Sequence, residues 1–77
     1  MYNVIQNLYQ SLTDSQLKEA LVEIQESSKT GIIPDGHLRR IANQIAELTL
    51  TPVSTQLMMT EVEILRLAAY KWLNLNQ

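Results

Sequence analysis

Residues 45–57, Ile45-Ala46-Glu47-Leu48-Thr49-Leu50-Thr51-Pro52-Val53-Ser54-Thr55-Gln56-Leu57, decide how the chain is divided into helices. Apolar residues recur at helical spacing on both sides of IAELTLTPVSTQL, and the pattern breaks between Thr49 and Pro52. Proline has a fixed φ and no N–H, so it suits the opening turn of a helix and not its interior. The stretch therefore reads as a corner where one helix stops and another begins.

Before the corner, Leu38, Ile41, Ala42, Ile45 and Leu48 mark a helix over 36–49, with Arg39, Arg40, Asn43, Gln44 and Glu47 on the remaining arc. After it, the start of the last helix has two candidates. Thr51-Pro52 offers one at 52, and Thr60-Glu61-Val62-Glu63 is a capping box that offers another at 60. We favour a continuous helix from 52, with a distortion near Met59 and with Glu61 and Glu63 serving a first turn. Farther along, Glu63, Arg66, Tyr70, Asn74 and Gln77 form a polar stripe. Val62, Ile64, Leu65, Ala68, Ala69, Trp72, Leu73 and Leu75 cover roughly half of the circumference at 3.6 residues per turn. That apolar face is wider than one neighbour needs, so the helix is expected to be central in the bundle or packed on a second copy.

Upstream, Val4, Ile5, Leu8, Tyr9 and Leu12 predict a short helix over 3–12 that needs a partner to persist. Thr13 and Gln16 stand in capping-box register before a helix over 14–28. Its stripe of Leu17, Ala20, Leu21 and Ile24 lies opposite Lys18, Glu19, Glu23 and Glu26, acids expected on the solvated face. Gly31 is suited to the left-handed residue that ends it. In the connector Ile32-Ile33-Pro34-Asp35-Gly36, the isoleucines are expected to plug the bundle end and Asp35 to cap the next helix. The expected fold is all-α: a single domain over 1–77, a compact bundle of four helices, first short and last longest.

Composition narrows the function classes. The chain has 77 residues and 45% apolar content, so its core is small and self-association into a homodimer is expected. Eight acidic against six scattered basic residues leave a net charge of −2, which gives phosphate backbones little to bind. No cysteine is present, which removes disulfides and thiolate metal sites and fits a reducing compartment. The beginning, MYNVIQNLYQ, lacks the basic and apolar regions of a signal peptide, and no apolar run approaches the roughly 18 residues of a membrane span; cytoplasmic residence is expected, with no membrane partner.

IAELTLTP is similar to helix-turn-helix segments, in which Ile-Ala-x-Leu precedes a turn and Ser/Thr-Pro-x-x-Val opens the recognition helix. The resemblance covers Ile45 to Leu57 and implies that the second helix reads DNA. The turn here lacks the usual glycine and is shorter than the pattern, and Pro52 to Met59 holds no Arg, Lys or Asn. Only Ser54, Thr55 and Gln56 can address bases, while Val53, Leu57, Met58 and Met59 are expected to face the core.

The remaining candidates point to binding. Arg39 and Arg40, beside His37, sit near a helix N-terminus whose dipole favours anions, so they are candidates for an acidic partner. The plainer alternative pairs them with Glu47 or with acids of the second helix. Arg66 and Tyr70, one turn apart on the last helix, form a candidate contact patch, and Trp72 is expected in the core. One histidine and no cysteine make too few metal ligands, and no nucleophile–base pair or glycine-rich phosphate loop is visible. No cofactor and no catalysis are expected. The expected function is a small non-catalytic protein-binding module, an adaptor, inhibitor or regulatory factor acting through a helix face; the alternative is a helix-turn-helix DNA-binding regulator.

Overall fold

The computed structural model describes the backbone of residues 2–73 and the side chains of residues 4–73. Four helices make up the fold: α1 Tyr2–Gln10, α2 Asp14–Thr30, α3 His37–Thr49 and α4 Val53–Leu73. The first is the shortest and the last the longest, in an all-α arrangement without strands among the described residues. α3 lies against α4, α2 packs on both, and α1 closes over α3.

Every helix contributes to one core of Tyr9, Leu17, Ala20, Leu38, Ile41, Ile45 and Ile64, with Ile5, Leu8, Leu12, Leu21, Ile24, Ile33 and Leu67 packed around it. Removing a side chain of this size from water stabilises the fold by about 1.5–3 kcal/mol. Leu48, expected in that stripe, is exposed, because it lies at the end of α3 where the core gives out. Ile33 packs against the core, but Ile32 points to solvent; only one of the two isoleucines plugs the bundle end.

The helix ends follow the local chemistry. Thr13 Oγ1 accepts the Gln16 N–H at 3.1 Å while Gln16 Oε1 accepts the Thr13 N–H at 2.9 Å, a complete capping box. α2 continues past residue 28 to Thr30 and stops at Gly31, which adopts φ 77° and donates its N–H to the Ser27 carbonyl. α3 departs from expectation: Asp35 does not cap it and instead faces Arg39 at 3.7 Å.

At the corner Leu50 takes φ 55°, and its N–H and that of Thr51 both turn back to the Ala46 carbonyl. Hydroxyls then tie the two helices together. Gln56 Nε2 donates to Thr51 Oγ1 at 2.8 Å, the Thr51 and Thr49 hydroxyls lie 2.7 Å apart, and Thr49 donates to the Ile45 carbonyl at 2.8 Å. Thr49 has one hydrogen and spends it on Ile45, so Thr51 donates to Thr49 and the relay runs one way.

α4 is uninterrupted from Val53, without a distortion at Met59. The capping box at residue 60 is not used, because Thr60 is buried in mid-helix, and Glu61 and Glu63 lie in the middle of the helix rather than in a first turn. Its inward face is Gln56, Thr60, Ile64 and Leu67. By the 3.6-residue period, Met58, Val62, Leu65, Ala69 and Trp72 fall on the opposite side. Met58, expected inside, is therefore exposed, and so is Trp72. Met59, also expected inside, is exposed on the flank that lines the groove described below, and Val53, though in register with Thr60, is exposed in the first turn where the helix begins. Trp72 lies against α2, with Lys18 Nζ 5.8 Å from its ring centroid, and Lys71 pairs with Asp14 next to it. Asn74, Leu75 and Gln77, which complete the expected stripes, lie outside the described residues.

Candidate functional site

A groove of about 640 Å³ lies between α1, the end of α3 and the first half of α4. Its floor is Tyr9, Ile45 and Gln56, all buried; Ile5, Met58, Met59 and Val62 form apolar walls, and Gln6, Glu63 and Arg66 stand among the polar lining residues. The corner sets this shape. Because α4 turns Gln56 and Thr60 inward, both methionines are left outward, where Met58 is 71% exposed.

The polar atoms of the floor are committed within the fold. Gln56 donates to Thr51, and the Tyr9 hydroxyl donates to Thr60 Oγ1 at 3.4 Å. Burial pushes the Tyr9 phenol above its ordinary pKa; the Thr60 hydrogen bond opposes that shift and the nearby Glu63 charge adds to it. Tyr9 is thus a neutral donor at neutral pH. The Arg66 guanidinium meets the Glu63 carboxylate at 3.0 Å. The groove therefore offers apolar contact, adaptable thioether surface and one ion pair, a combination suited to taking up another side-chain surface.

The four candidate contact residues do not come together. Arg66 lines the groove; Tyr70, 48% exposed, borders a separate depression with Leu12, Leu17 and Lys71. Arg39 and Arg40 sit at the start of α3. There Arg39 Nε donates to the Ile33 carbonyl at 2.7 Å, holding the connector. Arg40 donates to His37 Nδ1 at 3.2 Å, which puts the ring hydrogen on Nε2, facing Glu19 at 3.5 Å.

The anion position at the start of α3 is filled from inside the chain. Glu23 of α2 accepts the His37 N–H with Oε2 and the Leu38 N–H with Oε1, each at 3.0 Å. A residue expected to face solvent is thus the cap of another helix. Gly36 makes this approach possible, since a Cβ there would overlap the Glu23 carboxylate. Neither arginine touches Glu47.

For DNA reading, the corner leaves little. Gln56, the only bidentate donor–acceptor in the segment, is buried and bonded to Thr51, leaving Ser54 and Thr55 exposed on the first turn of α4. Among the described residues no three His, Asp or Glu side chains gather to hold a metal ion, and no helix is long and apolar enough to cross a membrane.

Sequence reasoning missed Met58, Met59 and Glu23. For Met58 a signal exists: Met58, Val62, Leu65, Ala69 and Trp72 are spaced by four, three, four and three residues, a seam separate from the inward one, while Met59 falls on the stripe of Glu63, Arg66 and Tyr70. For Glu23 there is none, because its partners are 14 and 15 residues away. Comparison of the chain with models of protein families, with curated proteins and with solved structures finds no match.

Proposed function

We propose that the chain is a small non-catalytic protein-binding module, an adaptor, inhibitor or regulatory factor, that works as a homodimer and takes its partner into the α1–α4 groove. The observation that carries this reading is the groove itself, with Met58, Met59 and Val62 exposed on its wall and Arg66 beside Glu63 among the residues that line it. Apolar side chains left in water at this density are characteristic of interaction surfaces. The matching ligand is an amphipathic helix from another protein, its apolar anchors in the groove and a charged residue at the Glu63–Arg66 pair. The working compartment in this reading is the cytoplasm, which suits a chain without cysteine.

The test is recovery of partners from lysate of the source cell with the tagged chain, with and without nuclease, beside Met59→Glu and Arg66→Ala. Both side chains are exposed, so the fold should survive. The expected result is a protein recovered regardless of nuclease and lost with Met59→Glu. Recovery that is indifferent to both substitutions would overturn the groove reading, and recovery that requires nucleic acid would return the corner to a DNA-reading role.

A further inference from the structure

We infer that the outward face of α4 is the surface on which two copies of this chain meet, and that the two α4 helices pair in parallel along it. This specifies the homodimer of the proposed reading and rests on it; Met58, Val62 and Arg66 belong both to this face and to the groove, whereas Leu65 belongs to the face alone.

The inward face of α4 already packs on its own bundle through Thr60, Ile64 and Leu67. The opposite face carries Met58, Val62, Leu65 and Ala69 and ends at Trp72, whose ring already has Lys18 of α2 over it. A helix apolar on both sides is found where both sides are covered, yet in the single chain four of these five side chains are exposed. The spacing of four, three, four and three is the heptad seam of a two-helix coiled coil, with Val62 and Ala69 at the a positions and Met58, Leu65 and Trp72 at d. A β-branched residue at a followed by leucine at d, as in Val62 and Leu65, favours two parallel strands.

Charge selects the occupant and its direction. Glu61 and Arg66 flank the seam on opposite sides, at g and at the following e position. In a parallel pair, g of one helix faces the next e of the other, so Glu61 of each copy meets Arg66 of its partner, twice by symmetry. In an antiparallel pair g faces g and e faces e, which in a pair centred on Leu65 brings Arg66 near Arg66 and leaves Glu61 opposite Ala68. The face is thus complementary to itself in one orientation, in which Arg66, exposed at the edge and 3.0 Å from Glu63 of its own helix, is shared between Glu63 and the partner's Glu61.

The chain has no cysteine, so a single introduced thiol reports on one position. Met58→Cys and Leu65→Cys are prepared separately, oxidised at low concentration and read on a non-reducing gel, and the mass of the unmodified chain is measured by sedimentation over a range of concentrations. The expected results are a mass of twice 8.8 kDa and disulfide-linked dimer from both variants. In an antiparallel pair centred on Leu65, the two Met58→Cys thiols would stand about 20 Å apart, so cross-linking at Leu65 alone overturns the parallel pairing. A mass of 8.8 kDa at every concentration overturns the interface altogether. Leu65→Glu, with helix content unchanged by circular dichroism, should shift dimer dissociation at least about tenfold toward higher concentration. An unshifted midpoint places the contact elsewhere and equally overturns the inference. Leu65 lies outside the groove and Met59 outside the seam, so loss of the dimer with Leu65→Glu and loss of the lysate partner with Met59→Glu are separate failures.

Discussion

Replacing Glu23 by alanine removes the cap of a helix to which it does not belong. The carboxylate accepts two backbone N–H groups at 3.0 Å, from His37 and Leu38, and its charge lies at the positive end of α3. Bonds to a charged acceptor and a lost helix cap together set the cost at about 2 kcal/mol. For a domain of this size that lowers Tm by roughly 10 °C. Glu23→Gln keeps one oxygen for one N–H and should lose about half as much. Gly36 supplies the decisive control, because a methyl there would overlap the Glu23 carboxylate. Gly36→Ala alone should therefore cost on the order of 1 kcal/mol by displacing the cap, whereas in the Glu23→Ala background it should be neutral or slightly stabilising. Urea unfolding followed by circular dichroism at one protein concentration measures all four corners of this cycle, with Glu26→Ala as an exposed reference. If Glu23→Ala costs no more than Glu26→Ala, or if the Glu23 and Gly36 substitutions simply add, then Glu23 does not cap α3.

Two further outcomes rest on separate features. Tyr9 has a raised pKa in the folded chain, so the unfolded state loses its phenolic proton first; stability is fully present below the ordinary tyrosine value and falls as pH rises through the folded one. Unfolding measured from neutral pH to above pH ~10 should show that alkaline loss, and Tyr9→Phe should flatten it while costing about 1 kcal/mol at neutral pH; an unchanged alkaline limb would remove Tyr9 as its source. Leu50 holds φ 55° with its side chain 93% exposed, so Leu50→Gly relieves left-handed strain and gives up little burial. A gain of about 0.5–1 kcal/mol in urea unfolding is expected, and a loss would mean that the leucine side chain holds the corner.

What the sequence makes legible is what its neighbours in the chain decide. Thr13 and Gln16 cap each other, Gly31 takes the left-handed turn, and the stripes of α2 and α3, apart from Leu48, turn inward where the period puts them, because each of these choices is made within a few residues. The start of α3 is different. Its local signal was Asp35, but the cap arrived from α2, and the arginines counted as an open anion site became props for the connector and for His37. A contact between residues 14 or 15 apart has no periodic trace, so only the packing of α2 on α3 reveals it.

α4 failed for a more informative reason. Its apolar residues cover about half of the circumference, so a count of apolar side chains does not say which of them face the bundle, and Met58, Met59 and Trp72, expected inside, are exposed. The inward side was fixed instead by hydrogen bonds that only the fold can complete: Gln56 reaches Thr51 across the corner, and Thr60 receives the Tyr9 hydroxyl from α1. Two buried polar residues cost free energy unless paired, and here both are paired, so the helix can turn them inward and keep Met58, Val62 and Leu65 for the outside. A sequence selected only for the stability of the single chain would gain by reversing that choice, placing the larger apolar set inside. In the proposed dimer those side chains are buried against a second α4, which is the reason we offer for keeping them outside.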